Sequence, residues 1–421
     1  MNNVFTIEDS AANKISFYHL AAFLTLLPFD YFYSQLVLIS FGLHTLIHLK
    51  KDRLSLLLAK ETWLPAVVYL MLLASVLYST DKQEGLDISG RQSAMIILPV
   101  LLALSNLNLA KHRLKLLNVF AASCVLVVLY LYADAFYTLH YFHLPYKDLF
   151  STAFTNHNFS EPVGLHATYL SMYLALSVAC LLYNISVSRS SKEKTFLTVA
   201  IIILIAGLIQ LTSRAAVTGL LIIIASSVYF IALPAKRKRL LVFTAVLLSA
   251  AAVLFILQSS TFRQRYISEL KNDLTNQPVA DEALEPRILR WEQAVSVIKK
   301  SPLYGYGNGS EKKLLKEKYF ENKLYISFLK SFNAHSQYLS FLLRCGVPGL
   351  LLFLSVMGMA LYIAVKRKDF LFFSFVALIA SVSVSENILD VNKGIFFYSF
   401  FLSLFLISNN PEIFYKATEK S

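Results

Sequence analysis

Long apolar blocks separated by short basic connections limit how this chain can fold more than any other feature of its sequence. The blocks are roughly 15 to 23 residues long, the length at which an α-helix crosses a bilayer core of ~30 Å. Of the 421 residues, 56% are hydrophobic and 15% are charged, whereas a soluble domain carries about a quarter charged residues. Because helices satisfy their own backbone hydrogen bonds in lipid, the pattern predicts an all-α polytopic membrane protein.

The apolar blocks predict about twelve transmembrane helices and one large polar loop. The predicted helices lie near residues 17–28, 31–48, 63–79, 93–104, 116–139, 167–183, 196–211, 216–233, 240–258, 336–365, 370–384 and 395–407. Residues 1–258 therefore hold helices one to nine, with residues 80–92 predicted as a polar loop between helices three and four. Residues 259–334 form the loop with amphipathic helices, and residues 335–421 hold helices ten to twelve and a tail.

The distribution of Lys and Arg predicts how the helices are oriented. With the N-terminus in the cytoplasm, the inner connections and tails carry 20 Lys and Arg, and the short outer connections carry five. The large loop carries 13 more, but segments of that length escape the positive-inside rule. We therefore expect both termini in the cytoplasm and the large loop outside. The net charge of +13 follows from this pattern and does not indicate a nucleic-acid partner.

The cysteines do not predict a disulfide framework or a metal site. Cys124, Cys180 and Cys345 all fall inside apolar blocks, and no pair has metal-ligand spacing. The N-terminal segment is polar, and no small-residue cleavage site follows the first apolar block. We interpret that block as a retained helix and not as a signal peptide.

Polar residues capable of chemistry gather on the predicted outer face. They are Arg91, His157, His166, Arg214, Arg287, Arg290, His335, Glu386 and Asp390. Arg214 stands between two apolar blocks, where an arginine is costly without a partner. It either extends to lipid phosphates or faces an anionic substrate group. His335 begins predicted helix ten, where it either faces headgroups or takes a proton from an attacking hydroxyl.

The remaining outer residues allow more than one interpretation. Arg287 and Arg290 open an amphipathic helix whose apolar face could lie on the membrane. That face consists of Ile288, Trp291, Ala294, Val295 and Ile298. His166 begins a helix, where packing and interfacial anchoring are equally good explanations. Glu386 is interpreted as solvated in its loop, and Asp390 is either solvated or half of an acidic pair.

Several short motifs in this region resemble those of the O-antigen ligase and polymerase superfamily. They are a TSR connection ending at Arg214, an Arg287-x-x-x-Trp291 pair, the segment SPLYGYGNGS, and NAHSQYLSFLLRCGVPGLLLFL from Asn333 onward. The motifs span about Gln210 to Phe353. YGYGNG follows no predicted strand, so it is not interpreted as a phosphate-binding glycine loop of a nucleotide site.

The resemblance implies a bacterial inner-membrane glycosyltransferase with its active site on the periplasmic side. Its donor would be a glycan linked to a polyprenyl diphosphate, such as undecaprenyl diphosphate. Its acceptor would be lipid A-core or another glycan, with no metal, no cofactor and no nucleic acid involved. Arg214 and Arg287 would bind the diphosphate, and His335 would assist the acceptor hydroxyl. We expect further substrate contacts from Arg290, Arg91, His166, Trp291 and Asp390.

Elementary chemistry is compatible with these roles. A guanidinium group matches phosphate oxygens in a two-pronged fork, so arginines can stabilise a departing diphosphate without a metal.

Two alternatives remain beside ligation onto lipid A-core. A polymerase would extend the glycan on its carrier, and no residue decides between the two. A transporter or flippase would favour charges within the membrane and repeated halves. Charges within the predicted helices are almost absent, with Arg344 as the clearest exception, and no repeat is visible. A structural scaffold would give no reason for His and Arg to gather on one face.

Overall fold

The computed structural model describes residues 6–29, 31–231, 257–273 and 285–410. Within these ranges the chain is helical and contains no β-strand, which confirms the all-α class. The helices of eleven or more residues, numbered in chain order, are α1 Ala11–Leu26, α2 Tyr31–Ile47, α3 Lys60–Ser75, α4 Lys82–Gln92, α5 Ala94–Leu104, α6 Leu109–Tyr141, α7 Ala167–Val187, α8 Ser191–Leu211, α9 Arg214–Phe230, α10 Arg287–Ile298, α11 Ser310–Glu321, α12 Gln337–Lys366, α13 Phe370–Val382 and α14 Asn392–Ser408.

The described helices include six that are long and apolar enough to cross a membrane. A seventh span results if α2 and the 3-10 helix Lys51–Leu58, which meet at a 120° bend, count as one. Helices α9, α13 and α14 are apolar but shorter. Most of predicted helix nine, residues 240–258, lies outside the described residues. The count of twelve spans and the position of the large loop therefore remain predictions.

Helix α14 forms the centre of the bundle. Every residue from Lys393 to Ile407 is buried, as expected for a helix that is apolar on all sides. Its aromatic side chains stack on those of neighbouring helices. The Phe397 ring lies 5.0 Å from that of Tyr173, and the Phe401 ring lies 5.0 Å from that of Phe120. The bundle is thus built around a seam of interlocking aromatic rings.

The segment 80–92, predicted as a polar loop, is instead mostly helix α4. Asp81 caps this helix by accepting a hydrogen bond from the Glu84 amide at 3.0 Å, an arrangement related to the capping box. Gly85, Ile88 and Ser89 recur at helical spacing and are buried. The sequence therefore contained both a start signal and a periodic face, and the predicted loop was wrong.

Helix α10 is amphipathic as predicted, but its buried face differs from the predicted one. Ala294, Val297 and Ile298 are buried, whereas Val295 is exposed. The buried face packs in a second core with other apolar side chains from α11 and α12. They include Leu315, Tyr319 and Leu343. The loop helices thus have a core of their own on one end of α12.

The large loop is hydrogen-bonded to the bundle at a break in helix α12. Gly346 has the non-helical angles φ 62° and ψ −161°, and Pro348 has no amide hydrogen to donate. The carbonyls of Leu343 and Arg344 therefore lack their usual helical donors. They accept instead from the amides of Tyr306 and Gly307, each at 2.8 Å. The glycine-rich turn after Pro302 thus completes the hydrogen bonding of a broken membrane helix.

We expect Gly346→Ala to destabilise the protein by at least ~2 kcal/mol, because a left-handed φ costs a side chain ~1–2 kcal/mol and a clash adds to it. An added Cβ would meet the Leu303 carbonyl and would lie 2.7 Å from the Pro302 oxygen. The measurement is the thermal unfolding midpoint in detergent. Gly358→Ala is the control, since a Cβ there would meet nothing within 4 Å. Equal midpoints for the two variants would contradict this account of the break.

Candidate active site

Arg214 and Arg287 meet at one carboxylate although they lie far apart in the chain. Each is the first residue of its helix, α9 and α10 respectively. Arg214 forms an ion pair with Asp273, and the Arg287 Nε lies 3.9 Å from the same Asp273 oxygen. All three side chains are partly buried. Two guanidinium groups thus share a single negative counter-charge.

The connection between α8 and α9 places Arg214 at this position. It consists of Thr212 and Ser213 only, and Thr212 takes a left-handed backbone with φ 50°. One arm of Arg214, Nη2, binds Asp273. The other arm, Nη1, is buried and has no hydrogen-bond partner among the described residues. Since buried donors are normally satisfied, Arg214 retains capacity for a further acceptor.

His335 lies beside the same cluster and faces an acid. Its Nδ1 lies 3.6 Å from the Glu386 Oε2, a separation longer than a good hydrogen bond. Arg287 donates from Nη1 to the carbonyl of Ser385 at 3.4 Å, so the residue next to Glu386 also contacts the arginine pair. Arg214, Arg287 and His335 therefore belong to one contiguous group of charged side chains.

Glu386 is buried, which corrects the interpretation of this residue as solvated in a loop. Only 8% of it is exposed, and its Oε1 accepts from the Thr168 hydroxyl at 3.4 Å. Burial by itself would raise the pKa of Glu386. The facing His335, together with His166 and Arg287, outweighs this effect and lowers that pKa to about 2. Glu386 is thus a carboxylate across the neutral pH range.

The backbone of His335 is held in an uncommon conformation by its neighbours. It has φ 45°, a left-handed geometry that persists in non-glycine residues only where the surroundings enforce it. The Ala334 carbonyl accepts from the Trp291 indole at 3.0 Å, and the Ser336 amide donates to the Asn387 side chain at 2.8 Å. Trp291, predicted to bind substrate, is thus placed where it positions the His335 segment.

Arg290 contributes through an aromatic ring. It is only 6% exposed, and its guanidinium lies 5.2 Å from the centre of the Phe332 ring. The centre of that ring lies 5.3 Å from the centre of the His335 ring, in an edge-to-face arrangement. Burial lowers the pKa of Arg290. Phe332 therefore contacts both Arg290 and His335, and Arg290 belongs to the surroundings of His335.

A second buried ion cluster underlies the first. Arg344 is 3% exposed and binds Glu311 through Nε at 2.9 Å and Nη2 at 2.7 Å. It also binds Asp390 through Nη1 at 2.7 Å and Nη2 at 2.6 Å. Burial alone would raise the pKa of Asp390, but the Arg344 charge outweighs it and lowers that pKa. Asp390, predicted to contact substrate, is thus bound within the protein by Arg344.

The second cluster reaches the His335 segment through hydrogen bonds. Glu311 accepts from the Ala334 amide at 2.9 Å. Asn387, which donates to both Glu311 and Asp390 at 3.1 Å, also accepts from the Ser336 amide. The residues on both sides of His335 are therefore fixed by side chains that pair with Arg344.

The two remaining predicted residues, His166 and Arg91, lie at the edge of the two charged clusters or apart from them. The His166 ring lies 4.1 Å from that of His157. The protein around His166 excludes the water that would hydrate a charged ring. This lowers its pKa to about 4, although the Glu386 charge opposes the shift. Arg91 is exposed on the last turn of α4, outside the contacts described for the other candidates.

Sequence reasoning missed several residues that shape the site, namely Asp273, Glu311, Asn387 and Asn308, whose side chain accepts a hydrogen bond from the Arg344 Nη1 at 3.3 Å. Arg344 carried a usable signal, because an arginine in an apolar block requires acidic partners. Asp273 carried none, since it is one of many acids in a polar loop. Among the described residues, no group of three or more His, Cys, Asp or Glu side chains could hold a metal ion.

We expect Arg344→Met to destabilise the protein by ~3–5 kcal/mol, because two carboxylates would stay buried without their counter-charge. The measurement is the unfolding midpoint in detergent. Arg367→Met is the control, since that arginine is exposed near the end of the same helix. The triple change Arg344→Met, Glu311→Gln and Asp390→Asn should recover part of the loss. An Arg344→Met variant as stable as the control would contradict the network's role.

Comparison with known proteins identifies the central part of the chain. The family model described as O-antigen ligase matches residues 199–354, which include Arg214, Asp273, Arg287, His335 and Arg344. A search of curated proteins finds no match. The family match supports a membrane enzyme of the O-antigen ligase or polymerase type. It confirms the resemblance inferred from the motifs, since residues 199–354 are similar to the O-antigen ligase family.

Proposed function

We propose that this protein transfers a glycan from a polyprenyl diphosphate to an acceptor hydroxyl, and that the acceptor is lipid A-core. The observation that carries the proposal is the convergence of Arg214 and Arg287 on Asp273 beside the His335–Glu386 pair. In this proposal the arginine cluster is on the periplasmic side of a bacterial inner membrane, within reach of a lipid-linked substrate. The donor is undecaprenyl diphosphate bearing the glycan.

The arginine pair is suited to a diphosphate. At rest, the two guanidinium groups share one carboxylate, and Arg214 keeps an unpartnered Nη1. A diphosphate carries more negative charge than Asp273 and offers more acceptor oxygens. It can therefore take over both guanidinium groups in forked hydrogen bonds. As the bond to the sugar breaks, the charge that develops on the diphosphate is stabilised in place, without a metal.

His335 is suited to the acceptor. The ionised Glu386 faces Nδ1 and favours the tautomer that carries its proton there, so Nε2 is left to accept. The acceptor oxygen attacks the anomeric carbon, the bond from that carbon to the diphosphate oxygen breaks, and the diphosphate leaves with the electron pair. His335 Nε2 takes the hydroxyl proton, and Glu386 stabilises the imidazolium that forms, as a carboxylate does in a catalytic triad.

Transfer should fall at least ~100-fold in Arg214→Ala and in Arg287→Ala, because each removes a group that stabilises departing charge. The assay follows glycan transfer by purified protein, and EDTA should leave the wild-type rate unchanged. Lys299→Ala is the matched control, since this exposed lysine caps the same helix that Arg287 begins. Full activity in either arginine variant, with the protein inserted normally, would remove the proposed diphosphate role.

His335→Ala should lower kcat ~10²–10⁴-fold, the range of general acid–base effects, while donor KM changes little. His140→Ala, which alters an exposed histidine at the end of α6, should leave both constants unchanged. An unaltered kcat in His335→Ala would contradict a role as base.

The same assay identifies the acceptor. Transfer of the glycan onto lipid A-core is the result expected for ligation. Growth of the glycan on its carrier, with no transfer onto lipid A-core, would overturn ligation in favour of polymerisation.

A further inference from the structure

A cavity of about 290 Å³ lies at the connection between α8 and α9, where Thr212 lines it two residues before Arg214. It is formed by the segment before α7, the end of α8 and the short helices that precede Asp273. Its lining consists of Thr152, Thr155, Asn156, His157, Asn158, Thr212, Thr261, Gln264, Arg265 and Glu269. Its volume is near the lower end of the range for small-molecule sites, ~300 Å³. The cavity therefore suits one compact group and not an extended chain.

The residues that line the cavity all have polar side chains, and their formal charges balance. Most carry a hydroxyl or amide group, and the two formal charges, Arg265 and Glu269, pair with each other. The wall that they present combines these polar groups with a larger apolar area. His157 accepts from the Ala167 amide through Nδ1 at 3.4 Å, and burial lowers its pKa. The ring is therefore neutral, with a proton on Nε2. Such a surface matches a ligand rich in hydroxyl groups and without net charge.

Two residues of the lining also have buried polar atoms whose hydrogen bonds are incomplete. Thr212 is only 1% exposed, and its hydroxyl has no partner among the residues that the structure describes. The same holds for the buried Nε of Arg265. Leaving a buried polar group unsatisfied costs ~1–3 kcal/mol. Both residues line the cavity, so a ligand bound there is a candidate partner for these two atoms.

The position of the cavity relates it to the candidate active site. Thr212 precedes Arg214 by two residues, and the His157 ring contacts that of His166. The wall is firmly fixed, because Gln210 donates to the carbonyls of Leu149 at 2.6 Å and Phe154 at 2.5 Å. A group in the cavity would therefore adjoin a diphosphate bound by Arg214.

We propose that this cavity binds one uncharged sugar residue of the donor glycan, next to the diphosphate. The assignment rests on the proposed function, since it takes the ligand of the arginines to be a sugar-bearing diphosphate. The cavity thereby distinguishes a loaded carrier from an empty one. Recognition of the sugar itself, and not only of its carrier, follows from the hydroxyl, amide and imidazole groups that line it.

The test compares the affinities of two probes for the full-length protein in detergent. One probe is undecaprenyl diphosphate, and the other is the same carrier bearing one N-acetylhexosamine. The wild-type protein should bind the sugar-bearing carrier more tightly. Thr212→Val should reduce that preference about five-fold, the equivalent of one hydrogen bond, and should leave the affinity for the bare carrier unchanged. Gln264→Leu, which alters an exposed lining residue, should act in the same direction and serves if Thr212→Val does not fold.

Thr198→Val is the matched control, because it makes the same change on α8, the helix that Thr212 follows, and lies about 21 Å from Thr212 at 1.5 Å per residue. It should leave both affinities unchanged. Equal binding of the two carriers by the wild-type protein would overturn the sugar site alone. Failure to bind either carrier would overturn the proposed function and the sugar site together. If the cavity variants weaken binding of a lipid-free core oligosaccharide and not of the loaded donor, the cavity serves the acceptor and the donor assignment is wrong.

Discussion

The ion pairs of Arg344 with Glu311 and Asp390 connect α12 to α11 and to the turn before α14. The other features of the site depend on this connection. Burying three charges is costly, and the gain exceeds the cost only where geometry and hydrogen bonding are nearly complete. Here they are, since the guanidinium binds both acids with two arms each. The acids belong to a loop helix and to the turn before α14, while the arginine belongs to α12. In the same network, Glu311 and Asn387 accept hydrogen bonds from the backbone amides on both sides of His335. Buried ion pairs therefore support the backbone of His335, the candidate base.

The cluster of Arg214, Arg287 and Asp273 is built differently, because a ligand can change its charge balance. Two arginines share Asp273, so the positive charge is only half compensated, and these side chains remain partly open to solvent. The Arg344 cluster is closed, because two acids more than compensate one arginine and little of it is exposed. An anion entering from outside would therefore meet Arg214 and Arg287 and not Arg344. This contrast argues against a charged pathway across the membrane, since the buried Arg344 is paired with two fixed acids.

Much of the fold was predictable because helices in lipid are local structures. The apolar blocks, the amphipathic helix from Arg287 and the restart at Gln337 all depend on residues near one another in the chain. The prediction failed where the outcome depends on distant partners. Glu386 looks like a loop acid, and only the arrival of His335 and Arg287 from elsewhere explains its burial. Helix α4 is a different failure, since Asp81 and its periodic face were visible and the polar composition was given too much weight.

Helix direction supplies a further reason for the location of the charged cluster. His166 is the cap residue before α7, Arg214 begins α9, Arg287 begins α10, and Ser336 precedes α12. Four helix N-termini therefore surround the same region, and each carries the positive end of a helix dipole, worth ~0.3–1 kcal/mol toward a nearby anion. The positive potential thus comes partly from the backbone and adds to the half of the arginine charge that Asp273 leaves uncompensated.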